Sequence, residues 1–166
     1  LHFISCPLAK MSMIDQKGSC YCGAVEFSCK GSIMFNGMCH CKLCSRIAGC
    51  SPVHLIGVTP KATAFEVTKG ADKLKTFTST NGKFSHDMCT DCGTRLCQGP
   101  TGADFRAIFP VGFHIEQGDK GCMLPEELRP KAHMNYENRL FDHHCDLPKH
   151  KAFGDPMMDN SGNILG

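Results

Sequence analysis

The sequence CHCKLC, residues 39–44, places three cysteines and one histidine within six positions. Thiolate is a preferred ligand of zinc, and a closed structural zinc site takes four protein ligands in a tetrahedron. Three cysteines leave such a site one ligand short. Either a fourth ligand lies elsewhere in the chain, or the fourth position is open for chemistry, as it is in catalytic zinc sites.

Two further cysteine pairs flank this stretch, at Cys20–Gly23 and Cys89–Gly93. A glycine follows each pair and permits the backbone angles with which a short turn closes around a metal ion. The seven clustered cysteines divide naturally into a closed set of four and an open set of three. The closed set is Cys20, Cys22, Cys89 and Cys92, and the open set is Cys39, Cys41 and Cys44. Spacing alone also allows clusters to be exchanged between the two sites.

The chain has 13 cysteines, an odd number that does not follow the spacing of a disulfide framework. Close cysteine clusters are typical of metal ligands in a reducing compartment. We therefore expect a cytoplasmic protein with two zinc ions per chain. The six cysteines outside the clusters are predicted to be small buried residues or incidental surface thiols. These are Cys6, Cys29, Cys50, Cys97, Cys122 and Cys145.

Composition limits the classes of partner. The 166 residues carry a net charge of +2 without a basic stripe among aromatic residues, so we expect no nucleic-acid partner. The apolar stretch Ala107–Phe113 is too short to cross a bilayer, and the segment 1–10 does not have the long apolar core of a signal peptide. We expect no membrane partner, and the sequence leaves an oligomer open.

Frequent Gly and Pro residues predict short strands joined by turns, in a mainly β domain with short helices. One helical turn is predicted at Cys44–Ala48, ended by Gly49. Strands are predicted at Ala24–Cys29, Pro52–Val58, Ala64–Val67, Leu74–Thr78, Phe84–Met88, Thr94–Cys97 and Phe105–Val111. The last thirty residues are predicted to form extended segments and loops.

The order and spacing of these motifs resemble the glutathione-dependent formaldehyde-activating enzyme family, whose domain is a zinc-stabilised β-sheet of the Mss4-like fold. The stretches that carry the resemblance are Gly18–Val25, Cys39–Cys44 with Gly49, Cys89–Thr94 and, more weakly, Pro130–His133. The resemblance implies an N-terminal extension at 1–16, a zinc domain at 17–154 and a C-terminal tail at 155–166. It also implies a structural zinc on the four-cysteine set and a catalytic zinc on the three-cysteine set.

The resemblance implies a carbon–sulfur lyase that adds the thiol of glutathione to formaldehyde, giving S-(hydroxymethyl)glutathione. The partners are then glutathione and a small aldehyde or a glutathione adduct. Glutathione carries two carboxylates, so Lys17, Lys42 and Arg46 are candidate contacts; the alternative is that they are solvated surface charges. Family members commonly have a basic residue where this chain has Ser45. They also often carry an aromatic residue close after the histidine near the C-terminus, a place taken here by Met134-Asn135-Tyr136.

Three histidines need an interpretation as well. His40, between two of the cysteines, could shuttle a proton or support the metal ligands from behind. His54 and His133 are predicted to serve packing or polar contacts only.

Two other functions fit the same residues. The first is a zinc enzyme of this fold that acts on another glutathione adduct or electrophile, in detoxification or specialised metabolism. The second is a non-catalytic zinc module that binds a partner. The three-cysteine set favours an enzyme, because a purely structural protein has no need of an incomplete tetrahedron.

Overall fold

Strands and short turns make up most of the molecule in the computed structural model, which describes residues 12–119, 121 and 123–166. This part of the chain has two short helices, α1 Lys42–Ala48 and α2 Lys61–Ala64, and four single 3₁₀ turns, at Ala71–Lys73, Pro110–Gly112, Glu126–Leu128 and Tyr136–Asn138. Its strands are β1 Met13–Ser19, β2 Glu26–Cys39, β3 Val53–Thr59, β4 Glu66–Lys69, β5 Leu74–Thr78, β6 Phe84–Cys89, β7 Arg95–Pro100, β8 Arg106–Ile108, β9 His133–Met134, β10 Lys149–His150 and β11 Met157–Met158. The expected mainly β fold with short helices is confirmed.

Strand β2 organises the sheet because it has different neighbours along its 14 residues. Its first half lies between β1 and β4, and its second half lies between β3 and β9. From β3 the sheet continues through β8, β7 and β6 to β5, and from β9 it continues through β10 to β11. The end of β2 therefore brings Cys39 to the middle of the sheet, while β6 carries Cys89 near its edge.

Apolar side chains form two cores, and each contains part of one cysteine cluster. The first core includes Phe27 and Leu96 together with Cys20 and Cys89. The second core includes Val53, Leu55 and Phe109 together with Cys39 and Cys44. Burial of this apolar surface is the main favourable term in folding, so each cluster is fixed by the packing beside it.

Several predicted elements are confirmed with shifted boundaries. The strand at Leu74–Thr78 is observed as predicted, and the predicted strands near Pro52, Phe84 and Thr94 correspond to β3, β6 and β7. Helix α1 begins earlier than predicted and ends at Gly49, which adopts the left-handed conformation with φ 74°. A glycine in this conformation is a common helix stop.

Other predictions were wrong. The strand predicted at Ala24–Cys29 is the beginning of β2, which continues ten residues further, to Cys39. Ala64 ends α2 instead of beginning a strand. Of the strand predicted at Phe105–Val111, only β8 is observed, because Pro110 begins a 3₁₀ turn. Strand β1 and the short strands β9 to β11 were not predicted.

The isolated cysteines fall into both predicted categories. Cys29 and Cys97 are buried, and Cys50 and Cys145 are exposed. Cys6 and Cys122 lie outside the described residues. No helix in the described part of the chain has the length and apolar character needed to cross a membrane.

Candidate metal centres

The four-cysteine cluster joins two turns that are distant in sequence. The ligand atoms of Cys20, Cys22, Cys89 and Cys92 all lie within 4.8 Å of one another. The sulfurs of Cys20 and Cys22 are 3.6 Å apart, and those of Cys22 and Cys89 are 3.9 Å apart. Four thiols at such distances match the ligand set of a tetrahedral zinc site. The cluster would tie the end of β1 to the turn between β6 and β7.

The local sequence explains why the two turns have similar shapes. Gly23 and Gly93 adopt φ angles of 73° and 74°, a conformation that side chains with a Cβ rarely take. A backbone hydrogen bond from Cys20 to Val25 closes the first turn, and one from Cys89 to Thr94 closes the second. Each pair of thiols therefore projects toward the same point.

Polar groups in both turns lie within hydrogen-bond distance of sulfurs in this cluster. The backbone N–H of Val25 donates to Cys20 Sγ at 3.2 Å. The Thr94 hydroxyl lies 3.1 Å from Cys92 Sγ, and this hydrogen bond lowers the pKa of Cys92 to about 6. Stabilised negative charge on sulfur prepares the site for a cation.

The three-cysteine cluster lies where β2 passes into α1. The ligand atoms of Cys39, Cys41 and Cys44 are within 4.8 Å of one another. Cys39 and Cys44 are buried, at 5% and 7% exposed, whereas Cys41 is half-buried. Cys41 is the N-cap of α1, and its sulfur accepts a hydrogen bond from the backbone N–H of Cys44 at 3.3 Å. One cysteine of the three is therefore partly exposed.

Two amide side chains that the sequence analysis missed donate to this cluster. Gln98 Nε2 donates to Cys44 Sγ at 3.0 Å, and Asn135 Nδ2 lies 3.6 Å from Cys39 Sγ. Gln98 is on β7 and carries no sequence signal for this role. Asn135, which adopts the left-handed conformation at φ 55° directly after β9, carries no sequence signal for it either. Such amide donors stabilise negative charge on sulfur.

Hydrogen bonds among the three thiols separate their pKa values. The bonds from Cys39 and Cys44 lower the pKa of Cys41 to about 2. The bonds from Cys39 and Cys41 raise the pKa of Cys44 well above its usual value. The three thiols thus favour shared negative charge at the cluster, which is the charge that a metal cation would neutralise.

Buried histidines support the backbone around the cluster. His40 is 1% exposed, and its Nε2 lies 2.8 Å from Nδ1 of His133. Burial lowers the pKa of His40 to about 4, and the same cause lowers the pKa of His133 to about 4. The buried Tyr136 ring packs edge-on against His40 at 5.1 Å. His40 faces the interior; a role in proton transfer stays a prediction.

A cavity of about 740 Å³ opens beside the C-terminal end of α1. It borders residues next to both clusters, because Ala48 ends α1 and Gly93 follows Cys92. Among the described residues, Arg95 has a buried Nε without a hydrogen-bond partner. The walls include Val53, His54, Arg95, Phe109, Phe113 and Leu124. The cavity therefore combines apolar walls with a cation.

The tautomer of His54 is fixed by its neighbour. Asn36 Nδ2 donates to the carbonyl oxygens of Glu127 and Arg129, at 3.3 and 2.8 Å, so its Oδ1 must be the acceptor. His54 Nε2, 2.8 Å from that oxygen, is then the donor, and its Nδ1 carries no proton. Burial lowers the pKa of His54 to about 4, which keeps the ring neutral.

The basic residues that the sequence singled out are all exposed. Lys42 is the first residue of α1, Arg46 lies in its last turn, and Lys17 is on β1. None of the three forms an ion pair with a described residue. The hydroxyl of Ser45 is buried and has no hydrogen-bond partner in the described part of the chain. Lys42 and Arg46 therefore place positive charge on the outer face of α1.

A mainly β, Mss4-like sheet with two cysteine clusters that could hold metal ions defines the class of protein. Residues 15–138 match the model of the family described as glutathione-dependent formaldehyde-activating enzyme. The chain belongs to this family. The match does not test the predicted domain boundaries at 16 and 154, which stay predictions.

A crystal structure of a protein from Rhodobacter sphaeroides was also matched. It is 19% identical in sequence, with a TM-score of 0.48, and the alignment covers 59% of this chain and 87% of that one.

Proposed function

We propose that the protein is a zinc-dependent carbon–sulfur lyase that adds the thiol of glutathione to formaldehyde at the three-cysteine cluster, giving S-(hydroxymethyl)glutathione. The observation that carries this proposal is the difference between the two clusters. Within the described residues, one group offers four thiols and the other offers three, with Cys41 partly exposed. A tetrahedral ion on three protein ligands keeps one position for a substrate.

The residues of the three-cysteine cluster fit zinc. Thiolates suit zinc among the common divalent ions, and the donors from Gln98 and the Cys44 amide stabilise sulfur in its charged form. Cys39, Cys41 and Cys44 would hold the ion. Zinc bound there would supply positive charge that favours the thiolate form of an incoming thiol.

The chain's own residues orient the site. Gln98 and Asn135 fix the side chains of Cys44 and Cys39. The His40 backbone N–H donates to the Met134 carbonyl at 3.0 Å, which anchors the cluster to β9. In the reaction the glutathione sulfur forms a bond to the formaldehyde carbon, the carbonyl π electrons move to oxygen, and that oxygen takes the proton that left the thiol.

The cavity beside α1 supports a substrate with carboxylates. Glutathione has two carboxylates, and Arg95 presents a guanidinium nitrogen without a partner among the described residues. Arginine binds carboxylates through paired hydrogen bonds. Lys42 and Arg46, on the surface of α1, add positive charge on the approach to Cys41.

We further propose a cytoplasmic, reducing location, because the clustered cysteines must stay thiols to bind metal.

One observation favours a second candidate function. Phe109, Phe113 and Leu124 make a large part of the cavity apolar, whereas formaldehyde and glutathione present few apolar groups. A glutathione adduct of a larger, apolar electrophile would bury more surface there. The same cluster would then make or break a carbon–sulfur bond in that adduct.

A panel of thiols and aldehydes separates the two candidates. Zinc-loaded protein is assayed with glutathione and formaldehyde, with glutathione and apolar aldehydes, and with cysteine in place of glutathione. The proposal predicts the largest acceleration for glutathione with formaldehyde. Greater acceleration with an apolar aldehyde would transfer the assignment to the second candidate. Equal rates with cysteine and glutathione would contradict specific binding of the tripeptide.

A further inference from the structure

Cys145 is an exposed cysteine outside both clusters, and two buried basic side chains contact it. Its Sγ lies 3.2 Å from His133 Nε2 and 3.7 Å from Lys149 Nζ. His133 and Lys149 are each 3% exposed. A thiol that is open to solvent on one side and faces basic groups on the other has the surroundings of a reactive cysteine.

Lys149 brings a positive charge that no carboxylate balances. Its Nζ donates to the carbonyl oxygens of Cys145 and Leu147, at 2.7 and 2.9 Å. Within the described residues, Lys149 forms no ion pair with Asp or Glu. A buried ammonium is costly without a nearby negative charge. The sulfur of Cys145, 3.7 Å from Nζ, is placed to develop that charge as it reacts with an electrophile.

His133 is placed to accept a hydrogen bond from the thiol. Its Nδ1 lies 2.8 Å from His40 Nε2, and burial keeps the ring neutral by lowering its pKa to about 4. When Nδ1 carries the hydrogen and donates to His40, the lone pair of Nε2 faces Cys145 Sγ. A thiol beside such a base is the arrangement used in nucleophilic catalysis by cysteine.

We propose that Cys145 is a nucleophilic thiol and a covalent modification site for small carbon electrophiles, with aldehydes as the first class. In this step Sγ forms a bond to the carbonyl carbon, and the π electrons move to the oxygen. The oxygen takes up the thiol proton, which His133 Nε2 passes on without keeping it. The product is a reversible hydroxyalkyl thioether on Cys145. The reaction is independent of the substrate that the three-cysteine cluster uses.

Cys50 provides an internal comparison. It is also exposed and outside the clusters. Its thiol donates a hydrogen bond to the Pro52 carbonyl oxygen, 3.9 Å away, whereas Cys145 contacts two basic side chains. Zinc-loaded protein is treated with a low concentration of iodoacetamide at pH 7, and peptide mass spectrometry follows alkylation of both thiols. We expect Cys145 to react about tenfold faster than Cys50, because the ammonium of Lys149 stabilises the negative charge that develops on Sγ during the attack. Equal or slower reaction of Cys145 would overturn the proposal.

Two further measurements identify the cause and the electrophile. Lys149→Met keeps an unbranched side chain of similar bulk but removes its charge, and it should bring the Cys145 rate close to the Cys50 rate. An unchanged rate in a folded variant would exclude the ammonium as the cause. If the variant does not fold, the comparison of Cys145 with Cys50 in the unmodified protein still tests the proposal.

Prior equilibration with formaldehyde should slow alkylation of Cys145 more than that of Cys50. Equal slowing of both thiols would exclude aldehydes as preferred electrophiles.

Discussion

At the level of single residues, Cys41 combines two properties that the buried Cys39 and Cys44 lack. It caps α1, where the backbone N–H of Cys44 donates to its sulfur, and it is partly exposed to solvent. Removing it would leave two buried thiols that cannot make a stable zinc site alone. The rest of the fold does not depend on this sulfur, because the four-cysteine cluster lies in the other core.

Cys41→Ser should abolish turnover and leave a folded protein with one zinc ion per chain. Metal analysis, the melting temperature and the rate of S-(hydroxymethyl)glutathione formation together check this. Cys145→Ser, outside both clusters, is the matched control and should keep two zinc ions and the full rate. A Cys41→Ser protein that keeps the unmodified rate would show that the three-cysteine cluster is not the catalytic site.

Gln98→Leu should weaken metal binding at the three-cysteine cluster by about tenfold, since residues that hydrogen-bond to ligands typically contribute that much to affinity. The substitution removes the donor to Cys44 and leaves all three thiols in place. Competition with a chelator measures the affinity. Gln117→Leu changes an exposed glutamine that is far in sequence from the clustered cysteines and should have no effect. Equal zinc affinity in both variants would contradict the role of Gln98.

The sequence predicts the cysteines of both clusters far better than the groups around them. Cysteine spacing reflects the short turns that close around a metal, so a local pattern is enough to find it. Gln98 and Asn135 lie 54 and 96 positions from the cysteines to which they donate, and only the sheet brings them together. An isolated amide residue carries no signal for such a contact.

At the level of secondary structure, β2 shows where prediction from sequence fails. Gly31 interrupts the alternation of apolar and polar residues, and the sequence pattern therefore ends the strand too early. In the fold, Gly31 pairs with Ile14 of β1, and from the next residue the strand also pairs with β3. Its φ of 149° and its contact with β3 require a residue without Cβ.

Gly31→Ala should lower the free energy of unfolding by about 2 kcal/mol or more, because the strained φ angle and the contact both become unfavourable. A Cβ at this position would lie 2.2 Å from the Thr59 carbonyl oxygen. Denaturant unfolding of zinc-loaded protein measures the change. Gly102→Ala, where a Cβ meets no atom within 4 Å, is the control and should change stability little. Similar values for both variants would contradict this account of β2.

At the level of the whole molecule, the two clusters connect parts of the sheet that are distant along the chain. The four-cysteine cluster links the turn after β1 with the turn after β6. A bound structural zinc contributes its binding free energy directly to folding, on the order of 10 kcal/mol in small zinc domains. That contribution is comparable to the total stability of an ordinary domain.

Cys92→Ser should therefore give unfolded or insoluble protein, in contrast to Cys41→Ser. Its thiol is one of the four whose ligand atoms converge, and serine is a poor zinc ligand in its place. Soluble yield, circular dichroism and zinc content check the prediction. A soluble Cys92→Ser protein with an unchanged melting temperature would overturn the structural role of this cluster.

The class of fold was predictable because frequent turn residues and alternating apolar residues specify short strands locally. The order of strands in the sheet was not, since β9 and β10 are two residues long and pair through contacts far apart in sequence. The cavity and the surroundings of Cys145 depend on that order. Both are properties of the assembled sheet, and no local sequence pattern predicts them.

The most direct test of the proposed function is the rate of exchange between formaldehyde and S-(hydroxymethyl)glutathione, followed by NMR with and without the protein. The addition also proceeds without a catalyst, so only acceleration above that rate counts. The proposed function predicts clear acceleration by zinc-loaded protein and none by Cys41→Ser. An unchanged exchange rate with folded protein that holds two zinc ions would contradict it.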